Sequence, residues 1–149
     1  MSWIKEEPYE YTWYESLGIK LLRSGAIPKH VAFIMDGNRR YAKSLGLQTI
    51  DGHSQGFEKL AQTLQWCHDL GITEVTVYAF SIENFKRPQP EVDALLDLAT
   101  QKFERLIDEK DKLAEHGVRV NVIGNLSLLP QDLQLLVKRA TSLTKQNTK

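Results

Sequence analysis

The sequence predicts an α/β fold in which helices cover a parallel sheet. Three β-favouring runs alternate with helical segments from residue 26 onward, in the order βαβαβα. This order is typical of parallel strands, because parallel neighbours need a long crossover connection that a helix supplies. Polar residues follow each predicted strand, and α/β proteins of this kind bind ligands at the carboxyl ends of their strands. We therefore expect the site at that edge of the sheet.

The first 25 residues differ from the rest because they are rich in aromatic side chains. Over residues 12–24, Trp13, Leu17 and Leu21 recur four apart, which predicts an amphipathic helix. This apolar stripe has two interpretations. It packs on its own domain or on a partner, or it makes a peripheral contact with a membrane surface. We treat residues 1–25 as a separate segment that precedes the α/β domain at residues 26–149.

The remaining elements follow from periodicity and from glycine and proline positions. Strands are predicted at residues 31–35, 74–80 and 118–123. The first is a continuous apolar run, which we expect to be buried on both faces of the sheet. Helices are predicted at residues 39–45, at 53–70, from 90 to about 116, and from 130 onward. The first three helices end at Gly46, Gly71 and Gly117, and the last two begin at Pro90 and Pro130.

Composition limits the classes of function. The 149 residues suffice for one domain with a substantial core, and 42% hydrophobic with 26% charged residues is typical of a soluble globular protein. Lys+Arg and Asp+Glu both number 19, so we expect no nucleic-acid partner. The single Cys67 predicts a buried thiol in a reducing compartment. Residues 1–7 carry charges where a signal peptide needs an apolar stretch, and no run approaches the roughly 18 apolar residues of a membrane span.

The most informative stretch lies where the first predicted strand ends. Its apolar run stops at Asp36, and the Gly37-Asn38 pair turns the chain into a helix. Arg39 and Arg40 follow at once, so a carboxylate, the N–H groups of a helix start and two guanidinium groups lie within one turn. This combination suits a magnesium-bridged diphosphate. The alternative for Asp36 is a simple turn residue, but arginines at a helix start oppose the helix dipole and favour an anionic ligand.

The loop after the second predicted strand, residues 81–87, is the other candidate. We expect it to lie beside the first loop, so that both converge on one crevice. Its residues also have structural interpretations, in which Asn84 caps a turn and Phe85 belongs to the core. Glu83 then pairs with a neighbouring arginine, and His53 is a structural residue just before a helix. The sequence contains no catalytic triad, zinc-ligand spacing or Gly-rich phosphate loop, which disfavours a nucleotide-binding domain.

The chain resembles the cis-prenyltransferase family, the family of undecaprenyl diphosphate synthase, in three stretches: residues 33–42 (FIMDGNRRYA), Gly52-His53, and residues 78–87 (YAFSIENFKR). The resemblance is closest to animal members and runs through nearly the whole chain. It implies cis-prenyl chain elongation, in which isopentenyl diphosphate is condensed with an allylic diphosphate, here farnesyl diphosphate, with Mg²⁺ as cofactor. The products would be long-chain polyprenyl diphosphates of the dehydrodolichyl type, used for dolichol synthesis and protein glycosylation.

The resemblance also implies roles for individual positions. Asp36 would bind Mg²⁺ and so help the allylic diphosphate to leave. That diphosphate would be held by Gly37, Asn38, Arg39 and Arg40. Arg87 would reach diphosphate near the second substrate, and catalytic positioning or proton transfer would fall to His53 and Asn84. The same site would be lined by Phe80, Ser81 and Glu83.

The resemblance implies a homologous, non-catalytic partner subunit of the Nogo-B receptor type and a location on the cytosolic face of the endoplasmic reticulum membrane. It implies that residues 26–149 form the N-terminal portion of a domain that continues into strands bearing an arginine pair and a second acidic metal ligand. Thr49 departs from the pattern, because the family usually has an arginine there. The second hypothesis is therefore a truncated, non-catalytic module that binds allylic diphosphate or a partner subunit without turnover.

Overall fold

The structure is a computed structural model that describes Trp3 and residues 10–148. The rest of the predicted N-terminal segment, residues 1, 2 and 4–9, lies outside the described residues. The chain divides into two compact units. We call Lys5–Ser81 the strand unit, and Met1–Ile4 with Ile82–Lys149 the helical unit. The division of the sequence at residue 25 stays a prediction.

The strand unit contains a parallel sheet, as predicted for an α/β fold. Its elements in chain order are α1 (Trp13–Arg23), β1 (His30–Ile34), α2 (Asn38–Ser44), α3 (Thr49–Leu70) and β2 (Glu74–Tyr78). The two strands pair in parallel, with His30 opposite Glu74 and Ile34 opposite Tyr78. The crossover between them is made by α2 and α3, which pack on each other. The predicted fold class is therefore confirmed.

Strand β1 is not buried on both faces, so that prediction is wrong. Val31 and Phe33 are half-buried, whereas Ala32 and Ile34 are exposed, Ile34 to 76%. Successive side chains of a strand point to opposite faces of a sheet. The alternation therefore means that one face of β1 is partly covered and the other is open, although the run of apolar residues is continuous.

Helix α1 exposes its apolar stripe. Thr12 and Glu15 form a capping box at its start, and the helix packs on α3. The stripe residues Trp13, Leu17 and Leu21 are 78%, 58% and 72% exposed. The interpretation that this stripe packs on its own domain is therefore wrong for the described residues, because α1 meets α3 through its other side. A partner or a membrane surface stays open as an alternative.

Helix α3 begins at Thr49, four residues before its predicted start. A capping box closes its first turn, in which the Asp51 carboxylate accepts the Gln48 N–H at 3.3 Å. His53 therefore lies inside the helix rather than before it. The predicted end is confirmed, because Gly71 takes a φ of 88°, a left-handed conformation that favours glycine.

The helical unit contains α4 (Gln89–Asp108), α5 (Lys110–Glu115) and α6 (Gln131–Thr144), with 3₁₀ segments at Ile82–Lys86 and Leu126–Leu128. Helices α4 and α6 pack on each other. A core cluster shared by α4, α5 and α6 is formed by Leu106, Ile107, Leu113 and Ala140. The half-buried Trp3 packs against this core, and its indole N–H donates to the Lys102 carbonyl at 2.8 Å. The predicted helix start at Pro130 is confirmed, because Pro130 is the N-cap of α6.

The predicted single helix from residue 90 to about 116 is wrong, because the helix breaks at Glu109. This residue takes φ −89° and ψ 13° between α4 and α5. Its side chain is buried and accepts the backbone N–H of Trp3 at 2.9 Å, and it forms an ion pair with Arg105 at 2.8 Å. Trp3, which contacts Glu109 at the break, lies 106 residues away in the chain. The helical periodicity of the sequence therefore does not predict this break.

The predicted third strand at residues 118–123 is also wrong, since the described strands are β1 and β2. Two residues of this run, Val118 and Val120, have backbone groups that bond to side chains. The Val120 N–H donates to Thr144 Oγ1 at 3.0 Å, and the Val118 carbonyl accepts from Asn147 Nδ2 at 2.7 Å. The β-favouring residues here pair with neither of the described strands. Among the described helices, none combines the length and apolar character that crossing a bilayer requires.

Candidate functional site

The candidate site begins at the carboxyl edge of the two-stranded sheet. The paired strands end at Ile34 and Tyr78, and one further bond joins the Met35 N–H to the Tyr78 carbonyl at 3.1 Å. Asp36 follows β1 by two residues, and Phe80 and Ser81 follow β2. These three residues therefore leave the sheet at the same edge, which confirms the expected placement of the two strand ends.

The Asp36 carboxylate lies between the following turn and an arginine. Its Oδ1 accepts the Gly37 N–H at 2.6 Å, and its Oδ2 accepts from Arg40 Nη2 at 3.2 Å. The side chains of Asp36 and Arg40 are 78% and 82% exposed. An ion pair this exposed contributes little to folding, roughly 0–1 kcal/mol. It does, however, hold a carboxylate and a guanidinium side by side where a ligand can reach both.

Gly37 makes the turn that brings the two arginines to the sheet edge. Its φ of 91° is a left-handed conformation that strains other residues. Helix α2 begins at the next residue, so that Arg39 and Arg40 fall in its first turn and both are exposed. Guanidinium groups can grip phosphate oxygens with two parallel hydrogen bonds. The predicted Gly-Asn turn is therefore confirmed.

Asn38 and His53 come together across α2 and α3. Asn38 Nδ2 lies 3.4 Å from His53 Nδ1, and both residues are half-buried. The Asn38 amide and the His53 ring therefore lie within hydrogen-bond distance of each other. The structure thus joins the histidine to the turn after β1. Thr49, at the position of the usual family arginine, is the first residue of α3 and is half-buried.

The remaining predicted residues lie in the helical unit. Glu83 forms an ion pair with Lys86 at 2.7 Å, so the expected arginine partner is wrong. Residues three apart eclipse each other in the 3₁₀ segment, which brings Lys86 rather than an arginine to Glu83. The Arg87 guanidinium forms an ion pair with Glu91 at 3.0 Å. The backbone N–H of Arg87 donates to the Asn84 carbonyl at 3.1 Å.

Phe85 is exposed, so its interpretation as a core residue is wrong. Sequence reasoning missed Glu91, although its spacing of four residues from Arg87 on a helix was a usable signal. The convergence of the loop at residues 81–87 with the Asp36 turn stays a prediction.

The residues around Asp36 fit a divalent cation that a diphosphate also binds. The described residues contain no group of three or more His, Cys, Asp or Glu side chains that could enclose a metal. Mg²⁺ does not need such a cage, because it is commonly bound by one or two carboxylates together with substrate phosphates and water. An exposed carboxylate paired with Arg40, one residue after the exposed Arg39, is compatible with that donor set.

This fold and site define a class, namely α/β proteins suited to an anionic phosphate ligand at the carboxyl edge of a parallel sheet. Residues 34–149 match the prenyltransferase family model described as "Putative undecaprenyl diphosphate synthase". The chain therefore belongs to this family. The matched region includes Asp36 and all the other candidate residues.

Similar proteins support the same assignment. The whole chain is 58% identical over 149 residues to a dehydrodolichyl diphosphate synthase complex subunit of Homo sapiens, of which it covers 44%. Over 136 residues, 91% of the chain, it is 48% identical to a tritrans,polycis-undecaprenyl-diphosphate synthase (geranylgeranyl-diphosphate specific) of Pyrococcus horikoshii, covering 51% of that protein. The chain thus spans about half the length of these relatives.

A solved structure has a similar fold. It is lavandulyl diphosphate synthase from Lavandula x intermedia in complex with dimethylallyl diphosphate. The TM-score is 0.74 at 33% identity, over 81% of this chain and 51% of that one.

Proposed function

We propose that this chain acts in cis-prenyl chain elongation, in which isopentenyl diphosphate is condensed with farnesyl diphosphate into long-chain polyprenyl diphosphate. The product would serve dolichol synthesis and protein glycosylation. The observation that carries the proposal is the exposed pair of Asp36 and Arg40 at the end of β1, inside the region that matches the family. It combines a metal-binding carboxylate with a phosphate-binding cation at the expected edge of the sheet.

The chain's own residues divide the work of holding the allylic diphosphate. Arg39 and Arg40 bind its phosphate oxygens with charge-assisted hydrogen bonds, and Gly37 lets the backbone approach. Asn38 and His53 position the diphosphate from the side of α3. Asp36 would hold Mg²⁺, which when bound supplies positive charge that stabilises the departing diphosphate. For the second substrate we propose Arg87, with Phe80, Ser81 and Glu83 as substrate-binding residues. Catalytic positioning or proton transfer is proposed for Asn84 together with His53.

The second candidate is a module that binds allylic diphosphate or a partner subunit without turnover. The observation in its favour is that the exposed Asp36 and Arg40 could bind a diphosphate whether or not turnover follows. The binding residues Asp36, Arg39 and Arg40 are the same under both candidates. The two therefore differ in turnover and not in the first binding step.

We propose a homologous, non-catalytic subunit of the Nogo-B receptor type as partner, since the human relative is named as a subunit of a complex. We also propose a location on the cytosolic face of the endoplasmic reticulum membrane. The exposed Trp13, Leu17 and Leu21 of α1 support a surface that a partner or a membrane covers.

Titration with farnesyl diphosphate, followed by calorimetry with and without Mg²⁺, tests the proposed function. We expect Mg²⁺ to strengthen binding by at least about tenfold, since the cation screens the diphosphate charge next to a carboxylate. Asp36→Ala should abolish this Mg²⁺ dependence. Asp132→Ala, which removes an exposed carboxylate at the start of α6, is the matched control and should bind as the unaltered chain does. Binding that is equally strong with EDTA, or an Asp36→Ala variant that still responds to Mg²⁺, would contradict the proposal.

A further inference from the structure

Two glycines of α3 lie against the turn that carries the candidate site. Gly52 and Gly56 are four residues apart in a helix, so they share one face. That face packs on α2, where Asn38 is the first helical residue. Glycine destabilises the interior of a helix relative to alanine, so its presence at both positions needs a compensating contact.

The two glycines meet different parts of Asn38. A Cβ atom at Gly52 would overlap the backbone carbonyl oxygen of Asn38 and lie 2.8 Å from the Cβ of Ala42. A Cβ atom at Gly56 would overlap Asn38 Oδ1 and lie 2.8 Å from its Nδ2. Gly52 thus makes room for the backbone of α2, whereas Gly56 makes room for one amide side chain.

We propose that Gly56 is a positioning residue for the diphosphate site. Its missing side chain leaves the Asn38 amide a place against α3, within 3.4 Å of His53 Nδ1. The inference rests on the proposed function, because Asn38 belongs to the group that holds the allylic diphosphate. Gly56 itself touches no substrate and acts through Asn38.

This role has a consequence that a general packing role does not share. The end of an asparagine side chain can rotate away from a new methyl group, so Gly56→Ala should leave the fold intact and displace the amide. The Asn38 backbone and the Cβ of Ala42 cannot rotate away, so Gly52→Ala should separate α2 from α3. We therefore expect Gly56→Ala to weaken ligand binding and Gly52→Ala to lower the stability of the fold.

The test compares Gly56→Ala with Gly18→Ala. Gly18 lies inside helix α1 and has open space where a Cβ would be, so it controls for alanine in a helix. Three properties are measured: the thermal unfolding midpoint, the NMR signal of the Asn38 side-chain amide, and the affinity for farnesyl diphosphate in Mg²⁺. For Gly56→Ala we expect a shifted amide signal, affinity about tenfold weaker, as for one lost hydrogen bond, and a midpoint close to that of Gly18→Ala.

A double-mutant cycle with Asn38→Ala separates positioning from packing. Once the amide is absent, Gly56→Ala should cause no further loss of affinity, because the two changes act through the same group. An unshifted amide signal, unchanged affinity, or an unfolding midpoint that falls and is not restored by Asn38→Ala would overturn the proposal. If the unaltered chain binds no farnesyl diphosphate, the proposed function fails, and the amide signal alone still decides whether Gly56 positions Asn38.

Discussion

The ion pair between Asp36 and Arg40 contributes little to folding, although both residues belong to the candidate site. Their pair is almost fully exposed, so removing it should hardly change the free energy of unfolding. The same exposure leaves both groups accessible to an anionic ligand with a cation. We therefore expect substitution of either residue to affect ligand binding more than stability.

Cys67 gives a second prediction at the residue scale. Its side chain is 5% exposed, and burial raises the pKa of the Cys67 thiol above its ordinary value of 9.0. We expect iodoacetamide to alkylate the native chain at least about tenfold more slowly than the chain unfolded in urea, because the reactive thiolate is both scarce and covered. Alkylation rates followed by mass spectrometry at pH 8 measure this difference.

The raised pKa also predicts the direction of a pH effect. The folded state favours the neutral thiol, so this contribution to stability is present below the unfolded pKa and is lost as pH rises through the folded pKa. Cys67→Ala should remove that dependence, which makes it the control. Equal alkylation rates in the native and unfolded chains would contradict the buried position of the thiol.

At the scale of elements, the break between α4 and α5 depends on Glu109. Its carboxylate accepts the Trp3 N–H and pairs with Arg105, which is itself about half exposed. We expect Glu109→Ala to lower the free energy of unfolding by about 2 kcal/mol, because a buried acceptor is lost while water partly screens the arginine. Urea unfolding measures this change.

The matched control for Glu109 is Glu104→Ala, an exposed glutamate in helix α4, which ends just before Glu109. It should change the free energy of unfolding by less than about 0.5 kcal/mol. Glu109→Gln keeps an oxygen acceptor for the Trp3 N–H, so its effect should lie between the other two. An effect of Glu109→Ala no larger than that of Glu104→Ala would show that the carboxylate does not stabilise this break.

At the scale of the whole molecule, the open question is turnover, since the chain covers about half of its relatives. We expect labelled isopentenyl diphosphate to enter a long-chain product when farnesyl diphosphate, Mg²⁺ and a homologous non-catalytic subunit are all present. The reason is that the human relative is named as a subunit of a complex, so the proposed partner belongs in the assay. Extraction of the product and thin-layer chromatography measure incorporation, with the chain alone and with Asp36→Ala as comparisons.

The same experiment separates the two candidate functions. Product that forms with the subunit and disappears with Asp36→Ala supports the enzyme. If no product forms either with the subunit or with the chain alone, while farnesyl diphosphate still binds in a Mg²⁺-dependent way, the result supports the non-catalytic module. Asp132→Ala again serves as the control, and it should incorporate label as the unaltered chain does.

Much of the fold, and the part of the candidate site that follows β1, could be predicted because both depend on local sequence patterns. Helical periodicity identified α3, and Gly71 ended it where a left-handed residue was needed. The Asp36-Gly37 turn followed from an apolar run that stops at polar residues. These features need only neighbours in the chain, which the sequence displays directly.

The partners of individual groups could not be predicted in this way. The sequence by itself determined the parallel α/β class, the helix stops and the carboxylate and arginines after β1. Only the tertiary structure decided that Val120 and Val118 bond to the side chains of Thr144 and Asn147, respectively. It also decided that a helix breaks at Glu109 and that Gly56 adjoins Asn38. The physical reason is that backbone hydrogen bonds, burial and close approach are set by residues distant in the chain, whereas periodicity and turn chemistry are set by adjacent ones.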